Sequence, residues 1–141
     1  MTQEEKELLL KDLCARLPYG IMCQTDEHGK IHKLKGINKH KGIWWYEFDG
    51  FRNIKPPKPY LRPLSSMTEE EKRDLSSKYN WSIMGNDISI RYHSEGYWDD
   101  DTECPTNEYL KLFDWLNAHH FDYRGLIDLG LALVAPEGMY N

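Results

Sequence analysis

The chain predicts an α+β fold in a single domain. Three observations carry this. Capped amphipathic stretches stand at the start, middle and end of the sequence. Short β-branched and aromatic runs lie between them, separated by glycine-containing polar turns. A length of 141 residues suits one core that needs no metal or disulfide staple.

The first element spans Thr2 to Leu17. Thr2 and Glu5 have the spacing of a capping box, Leu9, Leu10, Leu13 and Leu17 repeat at helical spacing, and Pro18 ends the helix. A three-stranded antiparallel meander follows, over Tyr19–Thr25, Lys30–Ile37 and Ile43–Phe48. The second strand breaks its alternation near Leu34, as a bulge or bend does, and Asn38–Gly42 reads as a polar turn. Helix and meander together occupy residues 1–54. From 55 to 66 the chain is a proline-rich connector. Pro56, Pro57, Pro59 and Pro63 remove donors and fix φ, which excludes a helix or a central strand there, while Tyr60 and Leu61 pin the crossing to the body. The remaining part, 67–141, begins with a helix over Thr68–Tyr79 that has a second capping box at Thr68 and Glu71. A hairpin of Trp81–Met84 and Ile88–His93 follows around Gly85-Asn86-Asp87, then an acidic loop from Glu95 to Thr102. Last comes a C-terminal helix pair. Its first helix, Thr106–Ala118, carries Tyr109, Leu112, Phe113 and Leu116 on one face. A break at His119-His120 leads to a second helix capped by Asp122, docked by Leu126, Ile127 and Leu129 and stopped by Gly130. The likeness of TQEEKEL at Thr2 to TEEEKRDL at Thr68 is that of two well-capped acidic helix starts rather than of a repeat.

Charge is unevenly spread. The net charge of −5 conceals residues 28–62, where nine basic groups face two acidic ones, a net of +7. Residues 63–141 have six basic and fifteen acidic groups, a net of −9. The longest wholly apolar run, Leu131–Ala135, is far short of the roughly 20 residues a membrane helix needs. The acidic start is unlike a signal peptide, and three cysteines at irregular spacing fit a reducing compartment. The expected location is the cytoplasm.

Chemical motifs are few. No phosphate-binding glycine loop, nucleophile elbow or H-E-x-x-H is present. Cys23, His28 and His32 lack the paired ligands of a zinc knuckle, and Asp99-Asp100-Asp101 lacks the glycine and distal glutamate of a calcium loop. No metal or cofactor is expected. Adjacent His119 and His120 point about 100° apart on a helix and cannot ligate one ion together. As bases they would need a distant nucleophile such as Cys14, Cys23 or Cys104. The stronger candidate is the basic-aromatic run in the meander, with Lys39, His40, Lys41, Trp44, Trp45, Tyr46 and Arg52 as binding residues. Alternation sends one of Trp44 and Trp45 inward and the other outward. These residues suit an acidic protein partner or a second copy of the chain; alternatively they suit single-stranded nucleic acid, through lysine–phosphate contacts and aromatic stacking. A hydrolase-type enzyme using His119 or His120 is the third expectation.

Three stretches together, EEKELLLKDLCARLPYGIMC, KPYLRPLSSMTEEEK and FDWLNAHHFDYRGLIDLGLALVAPEGMY, resemble short proteins of no established activity carried by gut Bacteroidales and by phages or integrated elements of those bacteria. The resemblance covers both ends and the central connector. It implies a cytoplasmic accessory protein of a phage or mobile-element setting, and it implies no catalytic residue; the role expected of the chain is non-enzymatic.

Overall fold

A computed structural model describes residues 1–79, 81–84, 89–92 and 106–140. The expected turn at 85–87, the acidic loop with its three aspartates, and Cys104 lie outside the described residues.

Helix α1 (Gln3–Arg16) starts at the expected box: the Thr2 hydroxyl accepts from the Glu5 amide at 3.1 Å, and the Glu5 carboxylate accepts from the Thr2 amide at 3.1 Å. Its buried face is not the all-leucine stripe of the sequence reading. Leu9 and Leu13 are buried, but they share that face with Asp12 and Arg16, both fully buried. Leu10 and Leu17 pack at its margin. A short turn through Pro18 ends at Gly20, whose φ of 75° reverses the chain.

Strands β1 (Met22–Gln24) and β2 (Ile31–Lys33) form an antiparallel hairpin. The expected single meander is in fact two sheets, because the chain changes sheet at Leu34–Lys35. The Leu34 amide donates back to Ile21 at 3.0 Å, whereas the next amide, of Lys35, donates to Glu47 at 2.8 Å in the second sheet. That second sheet is β3 (Gly36–His40), β4 (Ile43–Phe48) and β5 (Phe51–Asn53), all antiparallel. The polar segment read as a turn is mostly strand. Only Lys41 and Gly42 turn, at φ 51° and 78°, the paired left-handed geometry that matches the twist of a tight hairpin.

The proline-rich connector is also corrected. Strand β6 (Lys58–Pro63) lies inside the first sheet, antiparallel to β1 and parallel to β9 (Phe121–Asp122) and β10 (Leu133–Val134). Successive residues of a strand aim their amides at opposite edges. Arg62 donates to the His120 carbonyl on the β9 edge at 2.8 Å, and the Leu61 carbonyl accepts from Ala135 on the β10 edge at 2.8 Å. Pro59 and Pro63 therefore share the edge of Leu61, at the two ends of the β10 pairing to Tyr60 and Leu61, where no ladder bond is asked of them. Alternate positions let a strand with prolines sit centrally. Leu61 is fully buried.

Helix α2 (Glu69–Tyr79) has its capping box, with Thr68 accepting from the Glu71 amide at 3.1 Å and Glu71 from the Thr68 amide at 3.0 Å. Strands β7 (Trp81–Met84) and β8 (Ser89–Tyr92) pair antiparallel. Helix α3 (Thr106–Ala118) keeps its expected span, but its buried face is Leu112, Trp115 and Leu116, and Tyr109 and Phe113 are exposed. No second C-terminal helix follows. After Ala118 the chain pairs with β6 through Phe121 and Asp122, which extends it. The Asp122 carboxylate then does cap, accepting from the Leu126 and Ile127 amides at 3.0 Å each. The capped segment is one compact turn, closed when Leu131 and Ala132 both donate to the Leu126 carbonyl and Gly130 adopts φ 75°.

Two apolar clusters result. One joins α1, β1, β4 and β6 with Leu126 and Leu131; the other joins α2 and α3 with Met67, Trp81 and Phe121. Between them lies a polar clamp. Arg16 Nε meets Asp12 Oδ2 at 2.8 Å and Arg16 NH2 donates to the Phe121 carbonyl at 2.6 Å, while Arg124 meets Asp12 Oδ1 at 2.7 Å. From β6, Arg62 grips Glu71 with both terminal nitrogens, at 2.7 and 2.8 Å, and lies over the Phe121 ring at 4.2 Å.

Two stability outcomes follow from this arrangement. Asp12→Ala strips the carboxylate from a buried guanidinium and should cost about 3–5 kcal/mol in urea unfolding. Asp122→Ala removes only the turn's cap and should cost about 1 kcal/mol by the same measurement.

Candidate functional site

The expected binding residues sit on the β3–β4–β5 sheet, but not on one face. Cross-strand partners share a face, and Lys39 is opposite Trp44 while Tyr46 lies between Ile37 and Asn53. Lys39, Trp44 and Tyr46 thus face α1. Trp45 pairs with Asn38 and Glu47 with Arg52, which places Trp45, Arg52 and, by alternation, His40 on the opposite face. Lys41 occupies the hairpin turn. The two tryptophans do part company, as the alternation requires.

On the α1 side the hairpin leaves a groove of about 580 Å³. One wall is Gln3, Lys6, Glu7 and Leu10, a single stripe along two turns of α1. The other is Trp44, Tyr46, Ile54 and Pro56, with Lys39 and Ile43 at the hairpin end. Two of its apolar side chains are open, Ile54 at 55% exposed and Trp44 at 38%, whereas Ile43 pairs with His40 and shares the opposite face. Tyr46 forms the floor, buried, and burial raises its hydroxyl pKa. The Lys39 ammonium stands over the Trp44 ring at 5.5 Å. The sequence reading missed Ile54, Pro56 and the α1 wall. The i, i+3, i+4, i+7 spacing of Gln3, Lys6, Glu7 and Leu10 is the signal for that wall.

The opposite face is different in kind. The Arg52 guanidinium covers the Trp45 ring at 4.3 Å, and Glu47 accepts from the Asn38 amide group at 2.7 Å. A covered ring beside a carboxylate is a poor platform for a nucleic-acid base.

The histidine pair is built into the frame. His119 Nδ1 lies 2.8 Å from the Trp115 carbonyl and its ring stacks on Trp115 at 4.0 Å. His120 holds φ 64°, ends the α3 segment and stacks on Tyr140 at 3.6 Å. The Tyr140 hydroxyl donates to the Tyr60 carbonyl at 2.7 Å and accepts from the Met22 amide at 3.1 Å, so the stack fastens the C-terminal segment across β1 and β6. Burial, together with the charges of Arg16, His119 and Arg62, lowers the His120 pKa to about 4. The two candidate nucleophiles among the described residues move the wrong way. Burial raises the thiol pKa of both Cys14 and Cys23, whereas an attacking cysteine needs a lowered one. Of the zinc trio, Cys23 is fully buried opposite His32, whose Nδ1 is 2.9 Å from the Thr25 hydroxyl. Among the described residues no three His, Cys, Asp or Glu side chains gather as metal ligands, and no helix is long and apolar enough to cross a membrane.

Comparison with protein families, with curated proteins and with solved structures finds no match for this chain.

The His120 environment makes a pH prediction. Its folded pKa of about 4 lies below the ordinary 6.5, so the unfolded chain takes up the proton first as pH falls. The stability tied to neutral His120 is present above about pH 6.5 and is lost as pH drops toward about 4. Urea midpoints across that window should decline in the wild type. They should decline less in His120→Asn, whose side chain tolerates the left-handed backbone.

Proposed function

We propose that this protein is a non-enzymatic accessory protein that works by binding another protein, or a second copy of itself, through the groove between α1 and the β3–β4 hairpin. The observation that carries this reading is the exposure of Trp44 and Ile54 around one concave site. Large apolar side chains cost free energy in water, roughly 25 cal/mol per Å², and clustered exposure of this kind marks interaction surfaces. The groove falls in the basic-aromatic run that the sequence singles out. The resemblance to proteins of Bacteroidales phages and integrated elements supports a mobile-element setting, where the partner belongs to the host cell or to the element.

Single-stranded nucleic acid is the second reading, and the exposed Arg52 on the open face favours it. Geometry weakens it, since the lysine and aromatic residues it needs are divided between two faces.

The test is a pair of surface variants, Ile54→Asp and Trp44→Ala, carried through sedimentation velocity and through capture from a lysate of gut Bacteroidales. The wild type should self-associate or retain a partner. Both variants should weaken that association about tenfold or more, with thermal unfolding shifted little for Ile54→Asp. Unaltered association in both variants overturns the reading. A low-salt gel shift with single-stranded oligonucleotides should show no complex.

A further inference from the structure

We infer that the occupant of the α1–hairpin groove is a short amphipathic helix of a partner protein, carrying carboxylates beside its apolar face. This rests on the docking reading above and adds the chemistry of the partner. Two observations lead to it.

The first is what the walls offer. Both present side chains, the α1 stripe on one side and the inward face of the hairpin on the other. The backbone groups of β4 are already paired on both edges, with β3 and with β5. An extended peptide laid across the face of β4 would find no strand edge to complete there, and its own amides and carbonyls would lose water without return. A helix satisfies its backbone internally and brings only side chains. The α1 wall from Gln3 to Leu10 is about 10 Å long at 1.5 Å per residue. That accommodates two apolar anchors one helical turn apart, placed between Leu10, Trp44 and Ile54.

The second is charge. Lys6 and Lys39 stand at the rim, and neither ammonium meets a carboxylate within ion-pair distance among the described residues. Glu7, the single acid in the lining, accepts instead from the Gln3 side-chain amide at 3.3 Å. The lining thus sets two ammonium groups against one carboxylate. An incoming helix with carboxylates flanking its anchors matches this rim; a basic helix is repelled by it.

The experiment uses the full chain and fluorescently labelled synthetic peptides read by anisotropy. One peptide is helical with two leucines at i and i+4 flanked by glutamates; a second replaces the glutamates with lysines; a third interrupts the helix with proline. A single-stranded oligonucleotide is the fourth probe. The acidic helix should bind saturably, more weakly as salt rises, and about tenfold or more weakly to Ile54→Asp. The paired Lys6→Glu, Lys39→Glu variant should reverse the preference toward the lysine peptide. These positions are on the rim, so unfolding curves should confirm that the variants fold. Equal or tighter binding of the lysine peptide, the proline peptide or the oligonucleotide overturns the inference. If the acidic helix fails to bind while Ile54→Asp still abolishes self-association, the groove is an interface and the helical occupant is wrong. If Ile54→Asp alters neither, the docking reading falls as well.

Discussion

Asp12 and Arg16, one turn apart on α1, are fully buried and face the segment that follows α3. An ion pair taken out of water costs several kcal/mol per ion unless its hydrogen bonds are completed. Here the added bonds come from far along the chain: Arg16 donates to the Phe121 carbonyl, and Arg124 fills the second oxygen of Asp12, while Arg16 Nη1 has no hydrogen-bond partner among the described residues. The pair therefore gains these bonds only when the stretch around Phe121 is in place. This couples the first helix to the last quarter of the chain more specifically than apolar packing does, since leucines accept many neighbours and a buried guanidinium accepts few.

The second clamp works from the other side. Arg62, next to the end of β6, binds the His120 carbonyl through its amide and Glu71 through its guanidinium. Burial alone would raise the Glu71 pKa, but hydrogen bonds from Arg62 and Thr68 outweigh it and bring it down to about 2. Glu71 thus serves both the cap of α2 and the join between α2 and the sheet. The segment His119–Arg124, gripped by Arg16 and Arg62, has its two histidines committed to stacking and chain reversal. Around His120 stand the Arg16 and Arg62 guanidiniums and the Tyr140 ring, an environment that opposes its protonated form.

With that region given over to structure, the exposed apolar side chains gain significance. The β3–β4 hairpin divides the basic-aromatic run by simple alternation. Trp45 goes to a face where Arg52 covers it, and Trp44 to a face where α1 leaves a groove. An even spread of lysines and aromatics over one surface would have favoured a nucleic-acid strand. The arrangement instead puts apolar side chains in a concavity and ammonium groups on its rim, and the proposal of a protein partner rests on that.

Local chemistry was legible in the sequence. Both capping boxes, the end of α1 just before Pro18, the span of α3 and the strand pairing after α2 depend on residues within a few positions of one another and stand as read, whereas Asp122 caps and Gly130 closes a compact turn instead of the expected second helix. The basic-aromatic run was also visible, though not its division into two faces with different neighbours. What tertiary structure decided were the long-range pairings. A proline-containing segment became a central strand because its prolines alternate onto positions outside the β10 ladder. The segment after Ala118 became a strand and a turn because β6 offered an edge and Arg16 a donor. The meander became two sheets because Leu34 and Lys35 found different carbonyls. The groove likewise needs α1 and the hairpin side by side, though some 30 residues separate them. Short-range hydrogen bonds and φ preferences can be read from neighbours in sequence; which edge meets which, and which charge is buried, depends on partners brought together only by the folded chain.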